Sequence, residues 1–273
     1  MSAETKEREM ANRIRVGIGG WNFEPWKSNF YPQGWPASRE LEFASRKLSA
    51  IEINSTYYSS QKPSTFAKWA KDTPEGFMFS VKASRFATNR RVLAEAGESV
   101  RMFVEGGIAE LGDKLGPIVW QFAPTKRFDP VDFEAFLALL PASVAGLPLQ
   151  HALDVRHESF RNPEYLALAR RYRAATVFTD SDDYPPIADL TGEFVYTRMM
   201  RTRSDLAEGC EPQVLAQLAA CGKAWAAGSE PTDLPRIEAA QSGSERDVFM
   251  FFISGAKERA PHAAMGLIRE LSA

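Results

Sequence analysis

Cysteine and histidine are scarce in this sequence. Its 273 residues include two cysteines, Cys210 and Cys221, and three histidines, His151, His157 and His262. None of them forms a Cys-x-x-Cys motif or the clustered spacing that zinc or iron sites use. Helical residues eleven apart are separated by about 16 Å, too far for a disulfide. We therefore expect reduced cysteines, a cytoplasmic location and no tightly bound transition metal.

Long apolar runs and an excess of one charge are also missing. No stretch approaches the roughly 18 apolar residues of a membrane span, and the polar start MSAETKEREMANR lacks the apolar core of a signal peptide. The formal net charge is −2, from 33 basic and 35 acidic residues. A general nucleic-acid binder usually has a positive excess, so nucleic acid is not favoured as a partner. We expect no membrane partner and a disordered tail over residues 1–12.

Motifs for nucleotide cofactors are absent as well. The sequence has no Walker-type loop, no Gly-x-Gly-x-x-Gly and no Gly-x-Ser-x-Gly element. Gly17-x-Gly19-Gly20 ends an apolar run but lacks the helix-opening spacing that a dinucleotide needs. The sequence therefore predicts no cofactor and argues against a Rossmann fold.

What the sequence does contain is a series of eight short apolar or alternating runs. They are rich in valine, isoleucine and phenylalanine and are bounded by glycine, proline or charged residues, which is typical of strands. The runs cover residues 15–20, 50–55, 77–83, 117–122, 149–156, 175–180, 194–199 and 247–254.

Helical segments separate most of these runs. Asp129-Pro130 and Asn162-Pro163 each pair an N-cap residue with proline at the first helical position. Residues 212–227 and 259–271 have helical spacing. Eight units that alternate strand and helix predict parallel pairing and closure into a barrel.

One connection is too short for this pattern. Few residues separate Asp180 from Phe194, and Pro185-Pro186 would stop a helix there. Residues 228–246 have the composition of an exposed, mobile loop. We therefore predict a single (β/α)₈ TIM-type barrel over residues 13–273, with an abbreviated connection between strands six and seven.

Short motifs follow the predicted strands in a characteristic order. They are Gly20-Trp21, Phe30-Tyr31-Pro32, Glu52-Ile53-Asn54-Ser55-Thr56-Tyr57-Tyr58, Val81-Lys82-Ala83-Ser84-Arg85, Leu115-Gly116-Pro117 with Gln121, and Asp154-Val155-Arg156-His157 with Phe160. In this order they resemble the YecE-like family (domain of unknown function 72), from about residue 14 to the C-terminus. The resemblance implies a barrel fold and no particular reaction.

Two strand ends depart from the family's common pattern. Met200 stands where many members have histidine, and Ile253-Ser254 stand where many have asparagine. If the histidine and asparagines carry the family's chemistry, this chain has another substrate or no activity.

A barrel of this class has its site at the C-terminal ends of the strands. We expect three acids and three bases to gather there: Glu52, Asp154, Asp180, Lys82, Arg156 and Arg198. The predicted catalytic residues are Glu52, Lys82 and Asp154. Glu52 would be an acid–base group with a raised pKa, and Lys82 its charge partner. The alternative is a balanced ring of ion pairs that closes the top of the barrel.

Further residues are expected to bind a ligand. Ser254-Gly255-Ala256-Lys257 follows strand eight, where barrels of this class often hold phosphate. The loops after strands three and seven add arginines, and aromatic residues stand among the top-face loops; solvated charge and packing are the alternatives. The predicted substrate-binding residues are Trp21, Asn54, Tyr57, Gln121, Arg156, Asp180, Arg198, Ser254 and Lys257.

These residues favour an enzyme that acts on a small anionic molecule, phosphorylated or sugar-like. Arg156, Arg198 and Lys257 would anchor its charge. Three carboxylates could hold Mg²⁺ or Mn²⁺, but the neighbouring cations oppose this, so no metal is predicted. The alternatives are a nucleic-acid-binding or phosphodiester-processing barrel, by analogy of fold with barrel endonucleases, and a non-catalytic ligand sensor.

Overall fold

The computed structural model describes residues 13–240 and 243–273, so the predicted tail over residues 1–12 lies outside the described residues. Eight parallel strands pair in chain order and close into a barrel, in which the last strand pairs with the first. The predicted barrel is confirmed, and each of the eight runs overlaps one strand. The strands are β1 (Ile14–Gly19), β2 (Ala50–Ile53), β3 (Met78–Lys82), β4 (Leu115–Gln121), β5 (His151–Asp154), β6 (Ala175–Asp180), β7 (Val195–Met199) and β8 (Val248–Phe252).

Helices in the described part of the chain occupy most of the connections. None of them is long and apolar enough to cross a membrane. A small antiparallel hairpin, Ser143–Val144 with Leu147–Pro148, precedes β5. The α-helices are α1 (Trp26–Asn29), α2 (Glu40–Ala44), α3 (Pro63–Asp72), α4 (Arg85–Thr88), α5 (Gly97–Val104), α6 (Pro130–Leu137), α7 (Pro163–Arg171), α8 (Pro212–Ala226) and α9 (Ala260–Ser272).

Two helices begin at the caps that the sequence predicts. Asp129 Oδ1 accepts the backbone N–H groups of Val131 and Asp132 at 3.0 and 3.1 Å. Asn162 Oδ1 accepts the N–H group of Glu164 at 2.8 Å. Each cap pairs amides that would otherwise lack a partner at the helix start, which contributes about 1 kcal/mol.

Side chains fill the interior of the barrel. Tyr196, Phe249 and Phe251 are each no more than 2% exposed, and the rings of Tyr196 and Phe251 lie 5.2 Å apart. A Cβ atom at Gly17 would lie 2.0 Å from the carbonyl oxygen of Ala50, so only glycine fits there. This packed layer forms the floor of the polar site at the strand ends.

The connection between β6 and β7, residues 181–194, is described throughout and has no helix. Within it Asp189, which is 3% exposed, accepts the backbone N–H groups of Ile237 and Glu238 at 2.8 and 2.9 Å. These bonds tie the loop between α8 and β8 to the β6–β7 connection.

Both cysteines are free and partly buried. Burial raises the pKa of the Cys210 thiol to about 11, and it also raises the pKa of Cys221. Neither thiol is therefore activated as a nucleophile near neutral pH.

Candidate functional site

The C-terminal ends of the strands and the loops that follow them surround a cavity of about 730 Å³. Pockets for small molecules commonly have about 300–1,000 Å³, so the volume suits a compact ligand. Seven of the residues predicted for the site line it: Asn54, Lys82, Gln121, Arg156, Arg198, Ser254 and Lys257.

Arg198, on β7, is the centre of a hydrogen-bond network at the bottom of the cavity. Its side chain is 1% exposed. Nε and Nη2 donate to the two carboxylate oxygens of Glu52 at 3.1 and 2.9 Å. Nη1 donates to Asp154 at 2.6 Å and to Gln121 at 3.0 Å. Because all three nitrogens already donate to the protein, Arg198 fits a positioning role better than the predicted role of direct anion anchor.

Glu52, on β2, is fully buried and also accepts a hydrogen bond from the Tyr196 hydroxyl at 2.7 Å. Burial alone would raise the pKa of the Glu52 carboxyl, but the cations of Arg198 and Lys82 outweigh it, and this pKa lies below its ordinary value. The prediction of a raised pKa for Glu52 is therefore wrong. Its direct charge partner is Arg198 rather than Lys82, which acts on it only at longer range.

Asp154, at the end of β5, is fully buried and shared between two arginines. Arg156 Nη2 donates to Asp154 at 3.0 Å and to Gln121 Oε1 at 2.9 Å. The Tyr184 ring covers Arg156, with the ring centre 4.2 Å from the guanidinium carbon. Burial would raise the pKa of Asp154, but Arg156 and Arg198 hold it below its ordinary value. Asp154 is therefore an ionised counter-ion and is poorly suited to donate a proton.

Lys82, at the end of β3, has a different environment. Its side chain is 8% exposed, and Nζ lies 4.1 Å from the centre of the Tyr57 ring. Within the described residues this Nζ has no hydrogen-bond acceptor and no ion-pair partner. Burial, together with the charges of Arg198 and Arg156, lowers the pKa of the Lys82 ammonium to about 7, although the carboxylates of Glu52 and Asp154 act in the opposite direction. Lys82 therefore titrates near neutral pH.

Lys257, which follows β8, is the second lysine of the cavity. Its Nζ lies 4.8 Å from the centre of the Phe23 ring and 5.6 Å from that of Trp26. The Trp26 indole also donates to the Lys257 carbonyl oxygen at 2.9 Å, which fixes the backbone there. No carboxylate of the described chain pairs with this ammonium. Lys257 is thus a cation held on aromatic rings and open to a ligand.

Three of the predicted substrate-binding residues lie outside the lining, as do the buried carboxylates Glu52 and Asp154. Trp21 packs edge-to-face on Trp69, with ring centres 5.0 Å apart. The Asp180 carboxylate pairs with Arg201 at 3.2 Å. Neither Trp21 nor Asp180 lines the cavity, and their ligand contacts stay predictions. Tyr57 does not line the cavity either, but its ring contacts the Lys82 ammonium and the lining residue Tyr58.

Several arginines of the loops already have partners. Arg90 donates to a backbone oxygen at 2.7 Å and to a serine hydroxyl at 2.8 Å. Arg201 pairs with Asp182 at 2.7 Å, and Arg203 pairs with Asp205 at 2.5 Å. The ion pairs of Arg201 and Arg203 reduce the positive charge that the loops present to a polyanion, whereas the neutral partners of Arg90 leave its charge in place.

Some lining residues were not predicted. Tyr184 stands in the β6–β7 connection, which has no periodic pattern from which its contact with Arg156 could be inferred. Tyr196 does not line the cavity but donates to Glu52 beneath it, and it could have been found, because it stands two residues before Arg198 and faces the same side of β7. Met200 and Ile253, where the sequence departs from the YecE-like pattern, both line the cavity.

Metal ligands do not converge in this site. In residues 13–240 and 243–273, no group of three or more histidine, cysteine, aspartate or glutamate side chains could hold an ion. The oxygens of Glu52 and Asp154 are instead occupied by guanidinium groups.

Similar proteins exist with known structures. A DUF72 family protein from Thermotoga maritima MSB8 superposes with a TM-score of 0.70, 19% identity and coverage of 95% of this chain and 99% of that chain. One from Enterococcus faecalis V583 gives a TM-score of 0.68 and 16% identity, with coverage of 95% and 96%. Identities this low show the shared fold alone.

Sequence comparison is more specific. The UPF0759 protein YunF of Bacillus subtilis (strain 168) is 25% identical over 158 residues, 56% of this chain and 54% of that protein, so the match spans about half of the relative's length. The family model "Protein of unknown function DUF72" matches residues 15–273, almost the whole sequence. The chain therefore belongs to the DUF72 family, as the YecE-like resemblance predicts.

Proposed function

We propose that this protein is an enzyme that acts on a small anionic molecule, phosphorylated or sugar-like, in the cavity at the C-terminal mouth of the barrel. The observation that carries the proposal is the local excess of positive charge. At the rim, Arg201 faces Asp182 and Asp183, where water screens the charges. Deeper in the site Arg156 and Arg198 face the carboxylates of Glu52 and Asp154, and Lys257 adds a positive charge. Lys82 adds another when it is protonated.

Each cation would have its own role. Arg156 and Lys257 would bind the anionic group, because both line the cavity and Lys257 has no carboxylate partner in the described chain. An excess of cations at a partly desolvated site attracts an anion more strongly than the same charges in water. Lys82 would exchange protons with the substrate, since a group with a pKa near the working pH serves best as an acid–base catalyst.

Thermal unfolding with a ligand panel tests the anion site. Inorganic phosphate, D-glyceraldehyde 3-phosphate, ribose 5-phosphate and gluconate form a suitable panel. A ligand that binds only the native state stabilises it, by about 2.7 kcal/mol at a hundred times Kd. We expect a sugar phosphate to raise Tm, and Arg156→Ala and Lys257→Met each to reduce that rise. Arg161→Ala is the matched control, because Arg161 is exposed and pairs with Glu158.

Two results would count against the proposal. If no compound of the panel shifts Tm, a buried ion-pair network that only closes the barrel is favoured. If Arg161→Ala reduces the shift as much as Arg156→Ala and Lys257→Met do, the compound binds elsewhere. Binding without turnover of any bound compound would point to a ligand sensor.

Nucleic-acid binding is the second candidate. Arg85 favours it, because its guanidinium carbon lies 5.9 and 5.5 Å from the ring centres of Tyr58 and Phe86, which are 64% and 59% exposed. Exposed rings beside a cation suit stacked bases. Affinity for single strands should then fall with salt, with a slope of about −0.7 per contacted phosphate. We expect weak binding that salt abolishes; tight binding at physiological salt that needs Arg85 would support this candidate.

A further inference from the structure

Lys82 does not have the surroundings of a structural lysine. Lys114 shows the contrast: its Nζ donates to the carbonyl oxygens of Ala70 and Thr73, both at 2.6 Å, and to the Thr73 hydroxyl at 3.1 Å. Lys82 is the more deeply buried residue, yet no described residue accepts a hydrogen bond from its ammonium, which opens onto the cavity. A largely desolvated ammonium without a protein acceptor is unfavourable. Support of the fold therefore does not explain this residue.

The buried carboxylates do not neutralise Lys82, because arginines already bind them. Arg198 takes both oxygens of Glu52 and one of Asp154, and Arg156 also binds Asp154. Burial and the Arg198 charge favour the neutral amine and bring the pKa of Lys82 to about 7. At pH 7 about half of the Lys82 side chains are then neutral, against about one in 2,500 for an exposed lysine.

A neutral amine that faces an anion site is a nucleophile toward carbonyl carbon. We propose that Lys82 forms an imine with a small anionic aldehyde or ketone, whose anionic group is held by Arg156 and Lys257. The inference rests on the proposed anion site and names the substrate class of that site. The same cavity holds all three side chains and has room for a compact phosphorylated carbonyl compound.

The step requires no oxidant or reductant. The Nζ lone pair attacks the carbonyl carbon and forms a C–N bond, while the π electrons of C=O move to oxygen. That oxygen takes a proton from water, and one of the two N–H protons returns to the resulting hydroxide, which leaves a neutral carbinolamine. The carbinolamine then loses its hydroxyl group and the remaining nitrogen-bound proton as one water molecule, and C=N results. When protonated, the imine would place its charge over the Tyr57 ring, whose face stabilises cations.

Reductive trapping tests this inference. The full chain is incubated with D-glyceraldehyde 3-phosphate and sodium cyanoborohydride, which converts an imine into a stable secondary amine, and peptide mapping by mass spectrometry locates the adduct. At pH 7 we expect Lys82 to be labelled at least a hundredfold faster than Lys71, which is exposed on α3. The rate at Lys82 should level off above about pH 7, whereas that at Lys71 should rise until about pH 10.

Variants separate the two proposals. Lys82→Met should remove this fast adduct, Lys71→Met should leave it, and Arg156→Ala should slow it at least tenfold. If glyceraldehyde 3-phosphate raises Tm but Lys82 is not labelled, the imine is wrong and the anion site stands. If neither occurs, both are wrong. If Lys82 is labelled equally fast in the Arg156→Ala protein, the assignment of an anionic substrate is overturned.

Discussion

Replacement of Lys82 by methionine should stabilise the protein, and more at low pH than at high pH. Methionine keeps an unbranched chain of similar length and removes the buried charge. The pKa of Lys82 falls from 10.5 to about 7 in the folded protein. At about 1.4 kcal/mol per pH unit, the difference between 10.5 and 7 corresponds to about 5 kcal/mol. Loss of the contact between Lys82 and the Tyr57 ring would offset about 1–2 kcal/mol of this gain in stability.

The pH dependence follows from linkage. Below about pH 7 both the folded and the unfolded chain carry the Lys82 proton, so the full cost of the buried charge is present. Between about pH 7 and 10.5 the folded chain loses this proton first, and the cost disappears as pH rises. Lys82→Met should therefore raise the free energy of unfolding by about 3–4 kcal/mol at about pH 6. At about pH 9.5 this increase should be smaller by at least about 3 kcal/mol.

Urea denaturation of both proteins across this pH range measures the effect. Lys71→Met is the matched control, since Lys71 is exposed, and its difference from wild type should stay within about 0.5 kcal/mol at every pH. A Lys82→Met protein that is destabilised by the same amount at low and high pH would refute the reasoning. Lys82 would then be an ordinary charged lysine.

Two further substitutions test other parts of the structure. Arg198→Met should lower the free energy of unfolding by about 3–5 kcal/mol in urea denaturation, because the fully buried Glu52 loses its bidentate partner; a loss below about 1 kcal/mol would contradict the central position of Arg198. Asp189→Ala should cost about 1–3 kcal/mol and speed proteolysis near Ile237, because two backbone N–H groups lose their acceptor. Asp183→Ala, at an exposed position of the same connection, should change neither the free energy of unfolding nor the rate of proteolysis. An unchanged cleavage rate in Asp189→Ala would show that other contacts hold the loop.

The fold could be predicted because its signals are local. Each strand is a short apolar run, and Asp129-Pro130 and Asn162-Pro163 mark helix starts that the cap hydrogen bonds reproduce. Alternation of side chains along a strand then directs Lys82, Arg156 and Arg198 to the mouth without any knowledge of the tertiary structure.

The partners within the site could not be predicted in the same way. Glu52 and Arg198 are 146 residues apart in sequence, and either Lys82 or Arg198 could have been the cation beside the carboxylate. Which cation lies beside Glu52 depends on distances across the barrel. With Arg198 in that place, Glu52 stays ionised, and Lys82 is the group that titrates near neutral pH. The packing of Trp21, which follows β1, on Trp69 of α3 could not be predicted for a related reason, since it also depends on a contact between distant elements.

A crystal structure of the protein soaked with D-glyceraldehyde 3-phosphate tests the anion site most directly. The account predicts density for the ligand inside the cavity, with its phosphate within hydrogen-bond distance of Arg156 or Lys257 and its carbonyl carbon facing Lys82 Nζ. A soaked crystal that binds the phosphate only outside the cavity, or whose cavity holds only water at saturating ligand, would contradict the central claim that the barrel mouth is built to hold a small anion.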